Sequence, residues 1–258
     1  MERVIDLNVF QVIAAYLFVL LLLFIVRIKG IKREREILIS SVRMTLQLIL
    51  TGYMLMYIFE SSSPLYTIAV LSVMQIFAVQ SVISKFKSDL TPELKKSIVI
   101  SLFSGTMICL IYFITVVMRV SPWYEARYII PVAGMIIGNS MTAVSLGLNN
   151  LITGMRTEKS TVEGALMLGA SPKSASKHII DRAFDSAILP TVNSMIGMGI
   201  VFLPGMMTGQ ILSGTSPVTA IEYQIAIMLA ILGSVSLSVT LLLELGFKSF
   251  FNEETQLI

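Results

Sequence analysis

Two apolar runs carry side chains that an apolar run does not need. Asn139, Ser140 and Thr142 lie in one, and Asn193, Ser194, Thr208 and Gln210 lie in the other. Amides and hydroxyls of this kind can line a path for a polar solute, and they can equally hydrogen-bond one helix to the next. Pro131, Pro190 and Pro204 fall in or at the ends of the same runs, with the Pro204-Gly205 pair well inside the second. A helix broken at membrane depth is tolerated only against protein or water, and freed helix ends serve as substrate sites in transporters. The expected pathway residues are therefore Asn139, Ser140, Asn193, Ser194, Pro204, Gly205 and Gln210.

Other chemistry is thinly represented. There is no His-Glu-x-x-His pair for a metal hydrolase, no set of paired aspartates in facing runs, and no nucleophile with an evident base. No Gly-x-x-x-x-Gly-Lys-Ser/Thr loop is present to hold a nucleotide phosphate. The chain reads as a non-enzyme that binds no cofactor of its own. The single histidine, His178, stands beside Lys177 and Arg182 and reads as solvated or interfacial. Met135, Met141, Met195, Met198, Met206 and Met207 occupy the two polar-bearing runs; thioethers suit copper(I) better than iron, and packing is their commoner use. No ligand set specifies a metal. The lone Cys109 excludes an intrachain disulfide. Arg43 and Glu244 lie inside apolar runs near one face, where snorkelling and a mutual ion pair compete with a functional role. Glu60 and Glu222 lie at the opposite ends of their runs, placed to face a vestibule.

The elements that position these groups follow from composition. Of 258 residues, 55% are hydrophobic and 14% charged, far from the roughly 25% charge of a soluble domain. A hydrocarbon core about 30 Å thick takes roughly 20 residues of helix. Seven runs meet that need, near 8 to 27, 37 to 59, 64 to 84, 97 to 118, 129 to 149, 188 to 212 and 218 to 247. Lipid satisfies no backbone group, so the expectation is an all-α, polytopic transmembrane bundle of about seven spans. Fifteen of the nineteen Lys and Arg residues gather on one side, including Arg27 to Arg35, Lys85 to Lys96, Arg156 to Arg182 and Lys248. Arg3, Arg119 and Arg127 lie on the other. The positive-inside rule then puts the amino terminus outside and the carboxyl terminus in the cytosol of a multi-pass protein of the cell membrane. The first run has its positive flank after it and no small-x-small cleavage site, so it reads as an uncleaved span. Residues 1–258 read as one membrane domain. The same distribution accounts for the net charge of +3 without a nucleic-acid partner.

One basic loop, about 150–187, is longer than the rest and has helix punctuation of its own. Ser160 with Glu163 fits a capping box, Gly169 suits a left-handed C-cap, and Ser171-Pro172 reads as an N-cap with proline at the first helical position. Two helices are expected, about 161–168 and from about 172 into the sixth run. The first is too short to stand alone. It must rest on the membrane surface, on its own bundle, or on a partner.

Glu163, Ala165, Gly169 and Ala170 are similar to the Glu-Ala-Ala-x-x-x-Gly-Ala signature of ABC-transporter permeases, with Gly164 in place of its first alanine. In those permeases the segment is a coupling helix that docks on a separate ATPase. A wider resemblance covers most of the chain. Ile130-Pro-Val-Ala-Gly-Met-Ile-Ile-Gly-Asn-Ser-Met-Thr-Ala-Val-Ser-Leu-Gly-Leu-Asn-Asn150, Leu168-Gly-Ala-Ser-Pro172, and the segments Leu189 to Asn193, Leu203 to Gly209 and Ile221 to Ile225 resemble the FetB-type permease family. That family includes a bacterial iron exporter component and plant proteins linked to aluminium tolerance. The resemblance implies the permease subunit of an ABC transporter, exporting iron or a metal-related cargo and working as a homodimer. The cytosolic partner subunit would use ATP and Mg. The coupling residues it implies are Glu163, Gly164, Ala165, Gly169 and Ala170. A secondary transporter or channel independent of ATP is the rival, and it would have no need of the capped loop.

Overall fold

Serine or threonine followed by proline opens four of the long and short helices, and the physical reason is the same each time. The computed structural model describes residues 8–61, 63–252 and 256, so Arg3 lies outside it. Pro64, Pro92, Pro172 and Pro217 each stand at the start of a helix, where a missing N–H costs nothing. Thr91, Ser171 and Ser216 accept from the backbone N–H of Leu94, Ser174 and Thr219 at 3.2, 3.3 and 3.2 Å. Those bonds satisfy donors that the helix itself leaves orphaned.

Nearly all the described residues are helical, and six helices are long and apolar enough to cross a membrane. They fall into two units by contact. The amino-terminal unit holds α1 (Val9–Ala15), α2 (Leu17–Ile28) and α3 (Glu34–Ser61), together with Leu212–Gly214. In it α2 packs against α3, and the hydroxyls of Tyr16 and Thr45 share a hydrogen bond. α2 is apolar all round apart from Arg27 in its last turn, with only Val26 buried, which suits a helix facing lipid.

The second unit holds α4 (Pro64–Lys85), α5 (Pro92–Tyr112) with a π-helical turn Phe113–Met118, α6 (Ala126–Thr157), α7 (Lys159–Met167), α8 (Pro172–Ala175), α9 (Lys177–Gly197), α10 (Gly205–Leu212) and α11 (Pro217–Gly246). α6 packs on α4, α5, α9 and α11, and α5 runs along α11. Ile98, Leu102, Val132, Ile136, Val144, Leu148, Leu151, Ile179, Val235 and Val239 form the buried centre. Lipid gives helices no hydrophobic reason to associate, so close approach and polar contact must do it. A Cβ at Gly105 would stand 2.8 Å from Ser238 Cα, and one at Gly154 would stand 2.5 Å from Ile179 Cγ2. Ser140 Oγ and Ser234 Oγ are 2.8 Å apart and fully buried, a bond worth about 0.6 kcal/mol in this setting.

These are not the glycines of the two Gly-x-x-x-Gly pairs in the sequence, Gly134 with Gly138 and Gly205 with Gly209, a spacing that commonly brings membrane helices together. A Cβ at Gly138, Gly205 or Gly209 would meet nothing within 4 Å, and one at Gly134 would meet only the flexible end of Met74 at 3.1 Å. Within this chain the close approaches between helices belong to Gly105, Gly154 and Gly246, whose Cβ would stand 3.0 Å from Leu94 Cδ1.

The run at 188–212 is not one helix. α9 ends at Gly197, a turn follows in which Val201 N–H donates to Gly197 O (2.9 Å) and Gly199 has φ +82°, and α10 begins at Gly205. Pro131 and Pro190 lie inside continuous helices, so of the three prolines only Pro204 stands at a break. There its carbonyl accepts from both Thr208 N–H (2.9 Å) and Thr208 Oγ1 (3.0 Å), which anchors the first turn of α10.

Candidate functional site

The basic end of the second unit is built around the junction of α6 and α7. Glu158 occupies that junction, and its carboxylate accepts from Arg182 and lies 2.5 Å from His178 Nε2. His178 and Arg182 are one turn apart on α9, so one acid grips two adjacent donors on another helix. The Arg182 hydrogen bond, with His178 second, holds the Glu158 carboxyl below the usual glutamate range. On the neighbouring loop Asp89 accepts from Arg156 at 2.7 Å, which holds its carboxyl below the usual aspartate range. Lys173 reaches Glu244 at 2.8 Å, so the acid for which the sequence suggested Arg43 as mate holds the α8 lysine.

α7 rests on its own bundle along one side. Val162 is fully buried, and Ala165 and Leu166 pack against the core. The capping box expected at Ser160 does not form: the helix starts two residues earlier than expected, at Lys159, and Glu163 instead faces Lys159 at 3.8 Å. That exposed pair contributes little. At the other end Gly169 has φ +88°, its N–H donates to Leu166 O (2.9 Å), and Ala170 N–H donates to Ala165 O (3.0 Å). This is a Schellman cap, whose left-handed position favours glycine. The cap turns the chain at a point where Met167 is 87% and Leu168 91% exposed. Gly164 faces open space, with room for a side chain. α8 then starts at Pro172 as expected, but Ser176 interrupts it before α9.

Of the expected pathway residues, some share a face and some do not. Asn139 is exposed on α6 with Thr142 and Asn149, and Asn193 is exposed on α9. Asn139 Nδ2 and Thr142 Oγ1 bond only to their own helix, at Met135 O (2.8 Å) and Gly138 O (3.1 Å). α6 and α9 run antiparallel: Gly154 meets Ile179, and Gly147 meets Ala187. Continued residue for residue, that register puts Asn139 level with Ser194 and Met195, just beyond Asn193. Ser140 points the other way, buried against Ser234 on α11, and Ser194 Oγ donates to Pro190 O at 2.9 Å. Pro204 and Gly205 begin α10, and Gln210 is half-buried near its end.

Sequence reasoning missed Glu158, Arg182 and the exposed pair Met167 and Leu168 as a working group. The i, i+4 spacing of His178 and Arg182 was a signal, but nothing local pairs them with a glutamate twenty residues upstream. Among the described residues no group of three or more His, Cys, Asp or Glu side chains could hold a metal ion.

Comparison with known proteins places the whole chain. The family described as "Uncharacterised protein family (UPF0014)" matches residues 9–251. The chain is 33% identical to "UPF0014 membrane protein YjkA" of Bacillus subtilis, over 93% of this chain and 94% of that one. It is 34% identical to "Probable iron export permease protein FetB" of Escherichia coli, covering 87% and 85%. It is 32% identical to "Protein ALUMINUM SENSITIVE 3" of Arabidopsis thaliana, covering 95% and 88%. No solved structure matches it.

Proposed function

The chain belongs to the UPF0014 family, and we propose that it is the membrane-spanning permease subunit of an ABC transporter, exporting iron or a metal-related cargo and powered by a separate ATPase. The observation that carries the reading is the tip of α7. A short helix is packed on its own bundle by Val162, capped by Gly169, and ends in two large apolar side chains, Met167 and Leu168, that no described residue covers. Apolar groups held out at a basic, membrane-proximal surface fit a groove on a soluble partner. Glu163, Gly164, Ala165, Gly169 and Ala170 form the coupling segment.

Force applied to α7 reaches the membrane part through Glu158, whose two bonds tie the start of α7 to α9, and through the close α6–α9 contact at Gly154. The conduit is formed between two copies of the chain, on the face of α6 and α9 that carries Asn139 and Asn193. Exposed amides are costly against lipid, and a second copy would cover them. The break at Pro204-Gly205 provides the flexible end of that face. Ser140, by its bond to Ser234, holds α6 to α11 beside the path. The subunit sits in the cell membrane with its basic end in the cytosol.

Co-expression of the chain with an ABC ATPase, followed by purification through a tag on the permease, tests the reading. The ATPase should remain bound to the wild type and be lost from Leu168→Glu. Equal retention by both would refute the assignment of α7.

A further inference from the structure

α2 and α3 are joined by a tight turn that gathers the basic charge of the amino-terminal unit. Gly30 ends α2 at φ +66°, and Ile31 N–H donates to Val26 O at 3.0 Å, the long bond of a Schellman cap. Arg27, Lys29, Lys32, Arg33 and Arg35 are all exposed on or beside this turn. Two acids accompany them, Glu34 and Glu36, of which Glu36 lies 3.5 Å from Arg33 in an exposed pair. The turn keeps an excess of cations at the point where α3 begins.

An open groove of about 490 Å³ runs along α3 one turn further on. Leu38, Ile39, Val42, Leu46 and Leu50 make its apolar wall, each between 47% and 69% exposed, and Arg43 and Gln47 are its polar residues. Residues 38 to 50 cover about 18 Å of helix, close to the roughly 15 Å depth of one leaflet. α3 itself continues to Ser61. Side chains of a helix lean toward its amino-terminal end, which here is the basic end, so Arg43 and Gln47 both lean toward the turn. An arginine against hydrocarbon alone is costly, whereas its planar fork of donors matches a phosphate.

We infer that this groove holds an anionic diacyl phospholipid of the leaflet on the basic side, with an acyl chain along the apolar wall and the phosphate between Arg43 and the cations of the α2–α3 turn. Each cation near a membrane surface adds to the attraction for an acidic headgroup. A zwitterionic lipid fits the wall as well, but its headgroup has no net charge for these cations to select. A soluble anion gains nothing from the wall. A spanning helix of a second copy is a poor fit, since it would follow α3 over about 30 Å rather than stop at one leaflet. The site lies wholly within the amino-terminal unit and uses no residue of α6, α7 or α9, so it stands apart from the proposed coupling segment and conduit.

The test uses the full chain in phosphatidylcholine vesicles, with brominated phosphatidylglycerol or brominated phosphatidylcholine added to quench a single tryptophan. Trp123, the one tryptophan of the chain, is changed to Phe, and the reporter is Leu50→Trp at the deep end of the groove or Met56→Trp, exposed in the far half of α3. At Leu50→Trp the anionic lipid should quench at about a fivefold lower mole fraction than the zwitterionic one, and at Met56→Trp the two should quench alike. Arg43→Gln, and Lys32→Gln with Arg35→Gln, should each bring the ratio at Leu50→Trp toward one. On the unaltered turn, which serves if those variants do not fold, salt at about 1 M should do the same by cutting the screening length to about 3 Å. Equal quenching by the two lipids at Leu50→Trp, the same preference at Met56→Trp, or a preference undiminished by the substitutions and by salt would each overturn the site. Quenching by neither lipid at Leu50→Trp would also overturn it, and would put a second copy of the chain on the groove.

Discussion

Glu158 Oε2 lies 2.5 Å from His178 Nε2, and the same carboxylate accepts from Arg182 one turn further along α9. To donate to a carboxylate, His178 Nε2 must carry a proton, whether the ring is neutral or charged. The contact ties an acid at the junction of α6 and α7 to a third helix, α9.

Glu158→Gln keeps the size of the side chain and removes its charge. If the contact transmits force, ATP hydrolysis by the assembled transporter should persist while cargo moved per ATP falls several-fold. The pH dependence has a definite sign. Because Arg182, and secondly His178, hold the folded carboxyl below its ordinary value, its contribution is complete above about pH 4.3 and is lost as pH falls through the lower folded value. Melting temperatures of wild type and Glu158→Gln, measured in detergent from pH 7 downward, should therefore converge only below about pH 4. Convergence already at neutral pH would show the contact to be idle.

At the tip of α7 the predictions separate backbone from surface. Gly169→Val forces a β-branched residue to φ +88° and should abolish ATPase-coupled transport while the permease still inserts. Gly164→Ala should be nearly silent on folding, since a Cβ there meets nothing within 4 Å. Transport assays and membrane-fraction immunoblots of both variants check this, and normal transport in Gly169→Val would sink the assignment of that cap.

The bundle should be sensitive to size at Gly105 and indifferent at Gly138. Gly105→Val places bulk against the Ser238 backbone and should cost about 1–3 kcal/mol or prevent assembly, read as a lower melting temperature. Gly138→Ala should leave the melting temperature of the single chain unchanged. The reverse pattern would restore the Gly-x-x-x-Gly pair as the packing device.

The orientation expected from the fifteen basic residues on one side can be tested by labelling. A cysteine near Trp123 should react with an impermeant thiol reagent applied from outside the cell, and one near Lys173 should not. Similar labelling at both sites would contradict the topology.

Six of the seven expected spans were legible, because each is a long apolar run with capped or charged ends, and the family could be read from the polar and glycine strings in the chain. The cap at Gly169 was legible too, since a glycine after Leu166-Met-Leu168 is a local signal. Pro204-Gly205 marked the far end of the break in the run at 188–212, but its start after Gly197 depends on a turn whose bonds, Val201 to Gly197 and Gly199 to Phe202, follow no simple motif, and Pro131 and Pro190 leave their helices unbroken. The rest of what escaped was long-range. Ser140 looked like a lining residue until Ser234, ninety-four residues away, was seen to hold it. Glu158 is unremarkable in sequence because the partners that give it meaning, His178 and Arg182, lie in a helix that comes later in the chain.

The most direct measurement is ATP-driven iron flux in inside-out vesicles containing this chain and its ATPase. The account predicts that radiolabelled ferrous iron accumulates only with hydrolysable ATP, that Leu168→Glu abolishes this, and that Asn139→Leu and Asn193→Leu reduce flux per folded molecule without matching losses of stability. Iron movement that proceeds equally without ATP, or unchanged ATP-driven flux in all three variants, would contradict it.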